Sequence, residues 1–355
     1  MSKRLASSCT SSITRATDND RHWSASVRPL GHVPALDGLR GVAILLVLAN
    51  HSGWHLLGGG LGVDLFFCLS GFLITALLLG EWSERGSVSF ADFYRRRALR
   101  LLPALLLVSA VTLALYPEGY RQALIGVTYV ANFARLSGEG LGAFTHFWSL
   151  AQEEQFYLVW PLVLITALRF PRVILPTLGL LFVAISLHGL TASSYERLWY
   201  GPDMHSGGLV LGAVAAILYV RGVNLRMPVG LAVLAGIACV AVFSESNAGL
   251  VLPVFAVAGS VVVLAVAQGS LRSLELRPLR YAGKISYGLY LWHYPVFIVL
   301  GWELGLPVAI GCAVLSYRYV EQPFLRRKAH RAGPTQPATP KPEPHVSAEH
   351  ALATS

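Results

Sequence analysis

Long apolar runs, separated by short polar stretches rich in arginine, organise this chain. A helix crossing hydrocarbon needs about 20 mostly apolar residues. The sequence predicts ten such spans, at about 35–52, 61–80, 98–116, 149–168, 172–190, 204–220, 228–244, 250–268, 281–300 and 304–320. An eleventh candidate at 122–136 (QALIGVTYVANFARL) is short and bracketed by Arg121 and Arg135. The expected fold class is therefore all-α, a polytopic integral membrane helix bundle.

Charge bias decides how the spans are threaded, because cytoplasmic loops collect Lys and Arg. If 122–136 does not span and the N-terminus is inside, the inner loops hold Arg85, Arg95, Arg96, Arg97, Arg100, Arg169, Arg172, Arg221, Arg226, Arg272, Arg277, Arg280 and Lys284. The outer loops then hold only Arg121, Arg135 and Arg197. A spanning 122–136 would move every later basic cluster outside. The expectation is ten spans with both termini cytoplasmic, and residues 117–148 as an outer segment, partly re-entrant or interfacial. Residues 1–33 form a polar tail, 34–325 a single membrane domain, and 326–355, containing PTQPATPKPEP, a Pro-rich disordered tail.

Composition supports lipid as the solvent. Apolar residues make up 54% of the 355 positions and charged residues 13%, where a soluble domain carries about a quarter charged. The two tails hold 14 of the 47 charges, which leaves too few to cover a soluble surface between them. The four cysteines show neither metal-ligand spacing nor a disulfide framework. No short apolar run precedes a small-residue cleavage site near the N-terminus, so no signal peptide is expected. The net charge of +9 fits membrane orientation, and no nucleic-acid partner is expected.

Ionisable groups inside spans are costly and mark function by default. The first span, PALDGLRGVAILLVLANHS, carries Arg40 near its inner end and His51 near its outer end. Eleven residues at 100° each return to nearly the same helix face, about 16 Å along the axis. The plainer alternative pairs Arg40 with Asp37 and makes His51 a helix cap. His51 and His55 have i,i+4 spacing, but Gly53 and Gly58–Gly60 should end the helix there, so no metal site is expected. In FYRRRALRLLP, Arg97 and Arg100 share a face. They are either a topology signal or a phosphate site built from guanidinium forks. In HFWSLAQEEQFYLVWP, Glu153 and Glu154 enter an apolar helix from outside, and only one is expected to face the interior. His293, in ISYGLYLWHYPVFIVL, reads mainly as an interhelical hydrogen-bonding residue. Glu321 at the inner end of the last span reads as a partner for a nearby Arg.

Taken together, LDGLRGVAILLVLANH (36–51), VDLFFCLSGFLIT (63–75), FYRRRALRLLP (93–103), HFWSLAQEEQFYLVWP (146–161), ISYGLYLWHYPVF (285–297) and YRYVEQPF (317–324) resemble the acyltransferase 3 family of integral membrane acyltransferases. Residues 172–280 match mainly as hydrophobic pattern. The resemblance implies transfer of an acyl group, with acetyl expected, from acyl-CoA to a hydroxyl of a sugar, glycan, glycolipid or glycosylated secondary metabolite. It places the family's first-span arginine and histidine on Arg40 and His51, its RxxR pair on Arg97 and Arg100, and its WSLxxE carboxylate on Glu153. Gln152 departs from the usual apolar residue.

The implied partners are cytoplasmic acyl-CoA as co-substrate, a hydroxyl-bearing acceptor and membrane lipid, in a bacterial cytoplasmic membrane. Arg40, Arg97 and Arg100 would hold the CoA phosphates, with Glu154 and His293 also in the binding set. His51 would act as general base, and Glu153 would orient it. A covalent acyl-histidine intermediate remains open. The rival from another class is a transporter or flippase for a lipid-linked or small polar solute, which ten spans with intramembrane charge suit equally.

Overall fold

The computed structural model describes residues 28–54, 56–224 and 229–325. Residues 1–27 of the expected 1–33 tail, the expected tail 326–355, His55 and Arg226 lie outside the described residues. Those described are helical, with no strand among them. The helices are α1 (Pro34–His51), α2 (Leu61–Arg85), α3 (Phe90–Leu115), α4 (Tyr120–Val127), α5 (Ala131–Leu136), α6 (Phe147–Leu168), α7 (Ile174–Gly189), α8 (Tyr195–Tyr200), α9 (Pro202–His205), α10 (Gly207–Val220), α11 (Val229–Val242), α12 (Ala248–Ala267), α13 (Arg277–Lys284) and α14 (Ser286–Ser316).

Local sequence explains the boundaries. Pro34 starts α1, where its missing N–H costs nothing. Gly86 ends α2 in the left-handed region at φ 66°, its N–H returning to the Trp82 carbonyl. Ser89 caps α3 by accepting from the Asp92 N–H. α14 is broken at Gly301 (φ 71°, ψ 170°), which divides it into the two segments expected at 281–300 and 304–320. One boundary differs from expectation. Residues 277–284 form the separate polar helix α13, and the apolar helix begins only at Ser286.

Four stretches are long and apolar enough to cross a membrane: Leu57–Arg85, Phe90–Leu115, Glu245–Ala267 and Ser286–Leu325. Helices α7, α10 and α11 are apolar but shorter. Fourteen residues rise only about 21 Å, less than the hydrocarbon thickness of about 30 Å. Large apolar side chains point outward on many helices, among them Leu106, Leu158, Leu162, Leu180, Leu234 and Leu304. Lipid-facing surfaces require this, and water would oppose it. The interior is filled by side chains such as Phe67, Phe72, Phe93 and Phe147.

The segment 122–136 forms no continuous helix. α4 and α5 are separated at Tyr129, which takes φ 58°. Gln155 of α6 repairs the break: its Nε2 donates to the Tyr129 carbonyl at 2.9 Å and to Asn132 Oδ1 at 2.8 Å. Irregular backbone at such a position must be satisfied by protein, which gives the glutamine of the EEQ triplet a structural task.

Close backbone approach locks α1 in place. A Cβ on Gly38 would overlap the Leu274 carbonyl, and one on Gly41 the Leu279 carbonyl. In the other direction, a Cβ on Gly283 would overlap the Asp37 carbonyl. α13 and the turn before it therefore lie flush along the first half of α1.

Candidate active site

Helices α1, α2, α3, α6 and α14 enclose a cavity of about 120 Å³. Arg40, Arg97, Arg100, Glu153 and Glu154 all line it, together with Ser70, Tyr157, Ser286 and Tyr290. Arg97 Nη2 donates to Glu154 Oε1 at 2.9 Å, and its guanidinium lies 3.4 Å from the Tyr157 ring centroid. Arg40 Nη2 donates to Ser286 Oγ at 3.1 Å. Arg40 therefore does not use Asp37, which lies 3.4 Å from His32 instead. Arg100 makes no hydrogen bond or ion pair among the described residues. The Nε atoms of Arg40 and Arg97 are buried without partners. Three guanidinium groups and two carboxylates thus share one cavity, and guanidinium forks have the geometry that binds phosphate.

Both carboxylates of the EEQ triplet face inward, where one was expected. The reason is that α6 is flanked on both sides. Glu153 turns towards α2, where Ser70 Oγ donates to it at 3.0 Å, and Glu154 turns towards α3 and Arg97. The remaining arginines of the third-span cluster pair elsewhere: Arg95 with Asp92 at 3.2 Å and Arg96 with Glu81 at 2.9 Å. Glu321 is buried in a π-turn at Tyr317–Glu321, and its Oε1 lacks a hydrogen-bond partner. No arginine reaches it closely enough for a direct ion pair among the described residues, but Arg100 and Arg40 interact with its carboxyl through space, in line with the expected Arg partner.

His51 lies at the end of α1, exposed, outside the cavity. Its Nδ1 is 2.9 Å from the Val47 carbonyl. A carbonyl only accepts, so Nδ1 carries the proton and Nε2 keeps its lone pair. The expected contact between Glu153 and His51 does not form: Glu153 bonds Ser70 and Tyr157, and the backbone fixes the His51 tautomer instead. The His51 ring packs 5.2 Å from His293 and 5.3 Å from Tyr294, centroid to centroid. His293 thus belongs to the histidine end, not to the arginine-lined cavity. Tyr290 separates the two regions. Its hydroxyl donates to the His146 carbonyl at 2.7 Å, and Ser149 Oγ lies 2.6 Å away.

The sequence model for the acyltransferase 3 domain, described as an acyltransferase domain, matches residues 33–311. The chain belongs to the acyltransferase 3 family. It is 32% identical over 355 residues to an O-acetyltransferase OatA of Staphylococcus aureus, covering 85% of this chain and 58% of that protein. It is 32% identical over 351 residues to a putative peptidoglycan O-acetyltransferase, YrhL, of Bacillus subtilis, covering 82% and 55%. A peptidoglycan O-acetyltransferase OatA of Listeria monocytogenes is 31% identical over 350 residues, covering 83% and 56%. The chain thus spans little more than half the length of these curated relatives. No solved structure matches it.

Within this acyltransferase 3 fold, sequence reasoning missed a second polar pair. His205 Nε2 lies 3.0 Å from Asp64 Oδ1, and its Nδ1 lies 2.7 Å from the Trp199 carbonyl. The two side chains are 1% and 2% exposed. Trp148 stacks on His205 at 5.5 Å and 21°. Asp64, alone in the apolar run VDLFFCLSGF, was the signal that could have revealed the pair. Gln152 donates to the Tyr200 carbonyl at 2.9 Å and so ties α6 to α8. Nearby, hydrogen bonds from Arg197 hold the Asp203 carboxyl below its ordinary range.

Proposed function

We propose that this chain is a ten-span membrane O-acyltransferase with both termini cytoplasmic. It would take an acyl group, acetyl by its relatives' names, from cytoplasmic acyl-CoA and transfer it to a glycan hydroxyl presented at the outer face. The observation that carries this reading is the division of labour along one face of α1. Arg40 joins Arg97 and Arg100 around an anion-suited cavity, and His51, about 16 Å further along, offers a fixed neutral imidazole.

In this reading the CoA phosphates lie against the three guanidinium groups, and the thin pantetheine arm runs outward past Tyr290. The acceptor hydroxyl approaches the exposed edge of His51. Its oxygen attacks the thioester carbonyl and its proton passes to His51 Nε2. A C–O bond forms, the C–S bond breaks with its electron pair on sulfur, and the CoA thiolate takes the proton back from His51. Glu153, held by Ser70, and Glu154, held by Arg97, shape the cavity's charge without touching the base. The peptidoglycan named in two relatives makes a muropeptide-type glycan the first acceptor to try.

The test is purified full-length protein in lipid nanodiscs, given acetyl-CoA and a soluble muropeptide oligosaccharide. Ester formation should appear by mass spectrometry with matching release of CoA thiol. His51→Ala should cut the rate by about 10²–10⁴-fold, the range for a positioned base, while still binding acetyl-CoA. Full turnover in His51→Ala would overturn the mechanism. Solute movement across liposomes without acyl-CoA would favour transport instead.

A further inference from the structure

Three imidazoles meet at the outer end of the α1 face. His293 lies 5.2 Å from His51, and His146 lies 5.4 Å from His293, centroid to centroid. Each has one nitrogen committed to a backbone carbonyl. His51 Nδ1 reaches Val47 at 2.9 Å, His293 Nδ1 reaches Tyr290 at 2.6 Å, and His146 Nε2 reaches Leu291 at 3.2 Å. Carbonyls only accept, so each committed nitrogen carries the ring proton and each other nitrogen presents a lone pair.

Two of those lone pairs are orphaned in the interior. His293 Nε2 and His146 Nδ1 are buried with no hydrogen-bond partner, in side chains only 0% and 3% exposed. Leaving a buried acceptor unmet is costly, and two adjacent instances call for an explanation. A resident metal ion is not that explanation, since no group of three ligating side chains among the described residues has metal-site geometry. What the cluster lacks is a donor. The ring contacts around it come from Tyr290, Tyr294, Phe147 and Phe297. No carboxylate bonds to any of the three histidines among the described residues.

A positive charge appears beside those lone pairs when His51 works. Once Nε2 has taken the hydroxyl proton, the imidazolium carries a new N–H and a positive charge. In serine-type triads a carboxylate answers that charge, but here Glu153 is bonded elsewhere. We propose that His293, backed by His146, is the positioning residue for this base. On the reading of His51 given above, the Nε2–H of protonated His51 stays directed at the reacting oxygen and then at the sulfur, while the unmet lone pairs of His293, whose ring lies 5.2 Å away, and of His146 behind it stabilise the positive charge of the ring through space. No further proton leaves the cluster. The proton stays on His51 until the departing thiolate sulfur removes it. This assigns the histidine of ISYGLYLWHYP a part in the chemical step, and draws in His146 from the start of the WSL stretch.

Amide substitutions test it, because Asn and Gln mimic different ring nitrogens. His293→Asn keeps a donor near the Nδ1 position and loses the Nε2 acceptor, whereas His293→Gln places an amide oxygen near Nε2. With the full-length protein, acetyl-CoA and a muropeptide acceptor, His293→Asn and His293→Phe should lower kcat by about 10-fold to 100-fold, the scale of losing a polar partner of a charged group. The KM for acetyl-CoA should not change, and His293→Gln should recover most of the loss. His146→Phe should give a smaller drop in kcat. Equal rates in folded His293→Asn and His293→Gln would overturn the inference even if His293→Phe fails to fold, and so would wild-type kcat in His293→Phe. His51→Ala is measured alongside. If it is inactive while His293→Phe is unimpaired, only this inference fails. If His51→Ala turns over normally, the reading of the base fails first.

Discussion

Arg97 and Glu154 are bound to each other at 2.9 Å inside the cavity, with the Tyr157 ring beneath the guanidinium. An arginine that serves only to mark the cytoplasmic side needs no such partner. One that holds an anion next to a carboxylate needs its charge balanced when the site is empty. The pair does this, and it also ties α3 to α6.

A first prediction follows for Arg97→Ala. On the proposed donor site it removes a phosphate contact, and it also strands Glu154, whose side chain is 17% exposed. An unmet buried group costs about 1–3 kcal/mol. The variant should therefore lose both thermal stability and acetyl-CoA affinity. Adding Glu154→Gln should restore the melting temperature without restoring affinity. Thermal unfolding and CoA binding on the same samples separate the two effects, and recovery of affinity in the double variant would remove Arg97 from the donor site.

Arg100 should behave differently, because it makes no direct hydrogen bond or close ion pair among the described residues and meets Glu321 only through space. Arg100→Ala should lower the melting temperature less than Arg97→Ala does and, on the proposed donor site, weaken acetyl-CoA binding by about 1.5–3 kcal/mol, the worth of one charge-assisted contact. Arg100→Lys should recover only part, since an ammonium cannot form the bidentate fork. Unchanged affinity in Arg100→Ala would make it a topology marker.

For the Asp64–His205 pair the expected cost is to stability, not to turnover. Removing one member of a buried ion pair typically costs about 3–5 kcal/mol. His205→Ala should reduce the amount of folded protein recovered from membranes and lower its melting temperature. Asp64→Asn can still bond the imidazole and should be milder. Specific activity per folded molecule should stay near wild type in both. A folded His205→Ala protein with lost turnover would move the pair into the catalytic machinery.

Topology is open to direct labelling. Gly140 faces open space and Ser87 is exposed on the turn after α2. In a background lacking the native cysteines, Gly140→Cys should react with a membrane-impermeant maleimide on intact cells. Ser87→Cys should react only after permeabilisation. The reverse pattern would invert the bundle and put the arginine-lined cavity on the wrong side for cytoplasmic CoA.

The helices were legible because hydrocarbon imposes a length and an apolar content that few other environments require. The start of α14 was misjudged because Tyr281–Ile285 joins smoothly onto the apolar run, while Arg277–Lys284 folds as its own helix against α1. The charged residues that line the cavity stood out because each sits in a short motif with its charge in plain view. The partners could not. His205 lies 141 positions from Asp64, and Tyr290 lies 144 from the His146 carbonyl. Such contacts are created by packing, and no spacing rule along the chain encodes them. The same limit hid the inward turn of both Glu153 and Glu154, which depends on α2 and α3 flanking α6.

The three glycine contacts along α1 have a mechanical consequence. Backbone pressed against backbone at Gly38, Gly41 and Gly283 leaves no slack for α1 to slide or rotate against α13. Arg40 and His51 are therefore marks on a rigid rule, and on the proposed reading the distance between phosphate end and base could not adjust to its cargo. Whatever flexing admits the acceptor and releases the product must come from the other wall, where α14 carries Pro295, Pro307 and the break at Gly301. The donor would be measured against a fixed edge while the opposite side opens and shuts.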